Sequence, residues 1–142
     1  MAMLPFCGYN LGVYFRHWLN VGERLSRPPK IFSVNWFRVD ENGRFIWPGF
    51  GQNIRVLKWI IDRVKGRVQA RETPVGLIPY LDDLVVDDIN LPKEKLAKLF
   101  EIKMSEWKKE VEEIRHFFQQ YGQHMPRELL DHLETMEKAV KA

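Results

Sequence analysis

The sequence holds one cysteine, Cys7, in 142 residues. That excludes a disulfide framework within the chain and fits a reducing compartment. No apolar run is long enough to span a bilayer, so no membrane association is expected. The N-terminal residues Met1 to Cys7 lack a basic stretch followed by an apolar one, so no signal peptide is read. Catalytic signatures are also missing. There is no Gly-x-x-x-x-Gly-Lys-Ser/Thr phosphate loop, no Gly-x-Ser-x-Gly elbow and no His-Glu-x-x-His pair. Asp82, Asp83, Asp87 and Asp88 lack the glycine and terminal glutamate of a calcium loop, and read as a solvated connector. The histidines His17, His116, His124 and His132 show no ligand spacing and read as surface or packing residues. Cys7, without a supporting pattern, reads as a buried thiol.

What is present is an ordinary globular composition, 45% hydrophobic and 29% charged, in one domain's length. The net charge of +3 conceals an uneven distribution. Residues 1–71 carry 12 Lys+Arg against 4 Asp+Glu, and residues 72–142 carry 10 against 15. The basic half favours an anionic ligand.

Helical periodicity predicts a helix over 9–24, with Leu11, Tyr14, Phe15, Trp18 and Val21 on one face and Asn10 as N-cap. Residues 31–37, rich in β-branched and aromatic side chains, predict a strand. Asp40-Glu41-Asn42-Gly43 is a turn signal, and residues 44–46 form the return of a hairpin. A loop over 47–53 leads to a helix over 54–65, with Asn53 as N-cap, Gly66 as stop, and Leu57, Ile60, Ile61 and Val64 as its apolar stripe. Residues 67–80 are strand-like. The acidic connector "LDDLVVDDIN" follows, then helices over 92–100, 105–121 and from Pro126 onward. Trp107, Val111, Ile114, Phe118 and Tyr121 mark one face of the second of these, and Leu129, Leu133, Met136 and Val140 one face of the third. The expected class is mixed α+β: a short hairpin and strands packed with about five helices, ending in a helical C-terminal region.

The unusual stretch is "NWFRVDENGRFIWPGFGQN", residues 35–53. It sets Trp36, Phe37, Phe45, Trp47 and Phe50 among glycines and a proline. Two rings held apart on a hairpin and a glycine loop can sandwich a flat base. Discrimination between bases then needs hydrogen bonds, which Asn53 and the N–H groups of Gly51 and Gln52, at a helix N-terminus, can supply. The alternative on composition is an aromatic plug over the helix end. A basic, aromatic module for single-stranded nucleic acid and a purely structural or docking segment are further alternatives.

The segments "FCGYNLGVYFRHWL", "PKIFSVNWFRVDENGRFIWPGFGQNIRVLKWIIDR" and "ETPVGLIP" resemble the C-terminal part of the GTP-dependent phosphoenolpyruvate carboxykinases. The resemblance is dense from Ala2 to Pro79 and continues through "EWKKEVEEI". It implies a place in the C-terminal nucleotide-binding lobe, with a guanine-pocket portion over 1–80 and the connector and C-terminal helices over 81–142. It also implies that Phe37 and Phe50 sandwich guanine, that Phe45 closes the pocket edge, and that Asn53 touches the base edge with the Phe50-Gly51-Gln52-Asn53 loop wrapped around it. Trp36 and Trp47 become supports. The family commonly has glutamate where Gln52 stands.

Members of that family are cytoplasmic gluconeogenic lyases, generally monomeric. They convert oxaloacetate and GTP to phosphoenolpyruvate, GDP and carbon dioxide, with Mn2+ and Mg2+. Their phosphate loop, metal ligands and substrate arginines lie upstream of the matching segment. Met1 looks like an added start. The chain is therefore expected to be a C-terminal fragment, without metal ligands, catalytic residues or nucleic-acid binding, and inactive alone. Its partners are expected to be a guanine nucleotide and the remainder of a carboxykinase chain. With part of its lobe missing, it is expected to self-associate through exposed apolar surface.

Overall fold

Helix α1, Leu11–Arg24, starts where Asn10 accepts a hydrogen bond from the Gly12 N–H at 2.8 Å, as expected of an N-cap. The computed structural model describes residues 4–141. Among these, α1 is followed by α2, Asn53–Val64; β1, Arg71–Thr73; β2, Gly76–Ile78; α3, Lys93–Leu99; α4, Met104–Gln119; and α5, Arg127–Lys141. The class is mixed α+β, as the sequence predicts. Strands β1 and β2 form an antiparallel pair, with Arg71 opposite Ile78 and Thr73 opposite Gly76. Gly76 has φ +121, in the region that favours glycine, which closes the turn between them.

The chain divides into two compact units. One combines the residues before Lys30 with those after Ile102. Here α4 and α5 pack on each other around Val111, Leu133 and Val140, with Leu11 of α1 also buried. The expected faces of α4 and α5 point inward: Val111, Leu133 and Val140 are buried, and their stripe companions are half-buried. Gly122, φ +54, follows the end of α4, and Pro126 precedes α5. Gly12 is required by close approach: a Cβ there would lie 2.6 Å from the His124 carbonyl oxygen.

The other unit is Lys30–Ile102. Its core joins Ile46, Trp47, Trp59, Leu84, Val86, Leu91 and Leu96. Three expectations change here. Residues 31–37 form no strand. They run as irregular chain, because pairing begins only at the bridge between Val39 and Phe45. The turn itself is as predicted: Gly43 N–H donates to Asp40 O, and Ile46 N–H to Arg38 O, both at 3.0 Å. The acidic stretch after Tyr80 is not merely a solvated connector. Leu84, Val86 and Leu91 enter the core while the aspartates stay at its surface. Finally, α2 is rotated relative to its predicted stripe. Trp59 is buried and Val56 and Ile60 pack beside it, whereas Leu57, Ile61 and Val64 are 45%, 51% and 51% exposed. The large Trp59 ring takes the inward position, and the branched residues one step round the helix are left outside.

Candidate functional site

The aromatic stretch lies within the unit Lys30–Ile102 and separates into an inner and an outer set. Adjacent residues in extended chain point to opposite sides. Ile46 therefore enters the core while Phe45 faces solvent, and Trp36 is half-buried while Phe37 faces out. Trp47 is buried, its ring 6.1 Å from that of Trp36. Phe37 and Phe45 meet edge to face at 6.0 Å. They are 72% and 65% exposed, and Phe50 is 91% exposed. The composition alone left a plug and a pocket open. Trp47 fills the role of a plug, and the three phenylalanines do not.

Gly49 connects these sets. Its φ of 120 and ψ of −176 are available to glycine at little cost. This bend lets the chain leave Pro48 and enter a 3-10 turn, Phe50–Gln52, that runs directly into α2. The Gln52 N–H donates to the Gly49 carbonyl at 3.0 Å, so it is not the free donor expected at this position. The Gly51 N–H has no such partner among the described residues, and no heavy atom lies within 4 Å of where a Cβ would stand.

Asn53 also departs from expectation. It is the first residue of α2 rather than its N-cap, and Gln52 at the cap position makes no side-chain capping bond. The Asn53 Oδ1 instead accepts from Trp47 Nε1 at 2.8 Å. A side chain six residues upstream has taken the acceptor that would otherwise have capped the helix. Gln52 is engaged in a similar way, its Oε1 accepting from Arg55 Nε at 2.7 Å. Arg55 in turn donates to the Val85 carbonyl at 2.6 Å and to Asp88 at 2.8 Å. That guanidinium holds the Asp88 carboxyl below its usual pKa. The Arg55 charge is therefore already paired with Asp88. Arg38 is likewise committed, donating to the Leu99 and Glu101 carbonyls at the end of α3.

Trp59 and Arg55 are the supports that sequence reasoning missed. Trp59 Nε1 donates to Asp83 at 3.2 Å, tying α2 to the acidic stretch. Their only sequence signal was a large ring and a cation within a helix next to an aromatic loop. The four histidines are exposed, and Cys7 is half-buried rather than buried, its Sγ donating to the Tyr9 carbonyl at 3.3 Å. Among the described residues, no group of three or more His, Cys, Asp or Glu is placed to hold a metal ion. Among the same residues, no helix is long and apolar enough to cross a membrane. The outer face of the stretch thus carries three exposed rings, and the last of them opens the turn that leads into α2.

The family model described as "Phosphoenolpyruvate carboxykinase C-terminal P-loop domain" matches residues 1–139. The phosphoenolpyruvate carboxykinase [GTP] of Chlamydia muridarum is 46% identical over 141 residues, 99% of this chain and 24% of that protein. That of Thermoplasma volcanium is 48% identical over 138 residues, covering 97% and 23% respectively. That of Neocallimastix frontalis is 44% identical over 144 residues, covering 99% and 24%. The chain thus spans about a quarter of the length of these relatives. Matched along nearly its whole length, it belongs to the family of the phosphoenolpyruvate carboxykinase C-terminal P-loop domain.

Proposed function

We propose that this chain is the guanine-binding segment of a GTP-dependent phosphoenolpyruvate carboxykinase. The observation that carries the reading is the outward display of Phe37, Phe45 and Phe50 around a loop anchored by the buried Trp47. Phe37 and Phe50 stack on the two faces of the base, and Phe45 closes the edge. Stacking of this kind contributes about 1–3 kcal/mol per base in nucleic-acid complexes. The Gly51 N–H and the Asn53 amide read the edge. The Gln52 side chain supports the loop through Arg55, while Trp36 and Trp47 back it from the core side. Family membership favours a nucleotide over single-stranded nucleic acid as the ligand.

In the whole enzyme the reaction converts oxaloacetate and GTP to phosphoenolpyruvate, GDP and carbon dioxide, in a cytoplasmic, gluconeogenic setting. The described residues do not fit the Mn2+ and Mg2+ of that reaction, since they form no metal-binding group. They also contain no phosphate loop. Metal, phosphates and oxaloacetate are therefore assigned to the remaining three-quarters of a full-length carboxykinase, which is the proposed protein partner. This chain alone binds weakly and catalyses nothing.

The test is a titration with GTP, and with ATP as control, followed by tryptophan fluorescence. GTP is expected to change the emission at millimolar concentration, and Phe50→Ala to abolish the change. An equal response to both nucleotides, or none, would count against the pocket.

A further inference from the structure

We infer that Trp47 is a specificity-positioning residue: its indole N–H fixes the Asn53 amide so that the pocket presents a donor and selects a purine carrying an oxygen at position 6. The inference rests on the guanine-binding reading above and adds to it the residue that sets base choice. An indole N–H can only donate. It meets Asn53 Oδ1 at 2.8 Å. Turning the amide over would set its NH2 group against that N–H, two donors face to face, in a part-buried position. The Trp47 ring cannot easily withdraw to relieve the clash. It is 6% exposed, part of the core that includes Ile46, Trp59 and Leu84, and backed by Trp36.

The amide nitrogen of Asn53 is thus left as the available donor, and it has no partner among the described residues. Gln52 is set in the same sense by a different residue. Arg55 Nε occupies its Oε1, so its own NH2 group is the one left over. In the segment that follows the exposed Phe50, both amide oxygens are therefore engaged and both amide nitrogens remain as donors. A donor meets the O6 acceptor of guanine. Against the exocyclic amine of adenine it faces a second donor, and neither group is satisfied. A site that leaves polar groups unpaired in this way rejects the wrong ligand much more strongly than a purely stacking site does.

Calorimetric titration of the chain with GTP and with ATP tests this through the ratio of the two affinities. Trp47→Phe keeps a ring in the core and removes only the N–H. It is expected to lower the GTP-to-ATP preference by about tenfold or more, mainly by letting the Asn53 amide turn and accept from adenine. Asn53→Asp keeps the acceptor for Trp47 and places an oxygen where the donor stood. It is expected to reverse the preference, and it decides the matter if Trp47→Phe proves to be unfolded by circular dichroism. A preference unchanged in both variants, or affinities for GTP and ATP that fall by the same factor, would overturn the specificity role and leave the guanine pocket standing. Failure of the unaltered chain to bind either nucleotide would overturn the pocket and this inference together.

Discussion

At the scale of single residues, the turn that leads into Phe45 is braced by one carboxylate as well as by its backbone bonds. Asp40 Oδ1 accepts from the Asn42 N–H at 2.9 Å and from the Arg44 N–H at 3.0 Å. The Arg44 N–H is the main reason its pKa lies below the usual value. The Asn42 N–H and the charges of Lys95 and Arg44 add to it. A carboxyl whose pKa is lower folded than unfolded stabilises the fold above the unfolded value, and the contribution is lost as pH falls through the folded value. The turn is therefore expected to loosen as pH drops below about 4. The Gly43 amide resonance should report this, and Asp40→Asn, which keeps an acceptor but cannot titrate, should flatten the response. This turn was readable from Asp40 to Gly43 because all of its partners are within four residues. The role of Asn53 was not. As a good capping residue before an apolar stripe it suggested an N-cap, and nothing local revealed that Trp47 would claim its oxygen.

Among the elements, helices with clear punctuation were legible. Asn10 starts α1, Gly122 and Pro126 bracket the passage from α4 to α5, and the stripes of α4 and α5 face inward. What the pattern could not show was which backbone would crowd a helix. Gly12 lies against the His124 carbonyl. Alanine is intrinsically favoured over glycine in a helix by up to about 1 kcal/mol. Contact at 2.6 Å with a backbone oxygen opposes that gain, and such overpacking costs about 1–3 kcal/mol. Gly12→Ala is accordingly expected to lower the thermal midpoint despite its better propensity. Gly8→Ala, with nothing within 4 Å, should leave it nearly unchanged. Residues 31–37 failed as a strand for a related reason. β-branched and aromatic composition marks a segment that fits a pleated surface, but a strand also needs a neighbouring strand, and the bridge at Val39 and Phe45 comes after this segment. The rotation of α2 has the same origin: its sequence supports two overlapping apolar faces, and packing around Trp59 chose one.

For the whole molecule, the face that α2 did not use becomes a property in itself. Ile54, Leu57, Ile61 and Val64 recur at helical spacing and are 64%, 45%, 51% and 51% exposed. An apolar surface of this kind promotes association. In light scattering the chain is expected to form oligomers with rising concentration, and Ile61→Asp to shift it toward monomer without changing its circular dichroism. A monomer throughout would show that this face is inert. The division of charge near residue 71, visible in the sequence, does not coincide with the units of the fold, whose boundaries fall at 30 and 102. Charge follows surface, whereas the units follow burial, and the residues buried around Trp47 come from distant parts of the chain.

The tie from Arg55 to Val85 and Asp88 has a practical meaning for anyone wishing to transplant the aromatic loop. Cutting after the second strand would keep every ring of the candidate pocket. It would discard Leu84, Val86, Leu91 and Leu96, on which Trp47 and Trp59 rest, together with the anchor that holds Arg55 against Gln52. The smallest portable version therefore extends to Ile102.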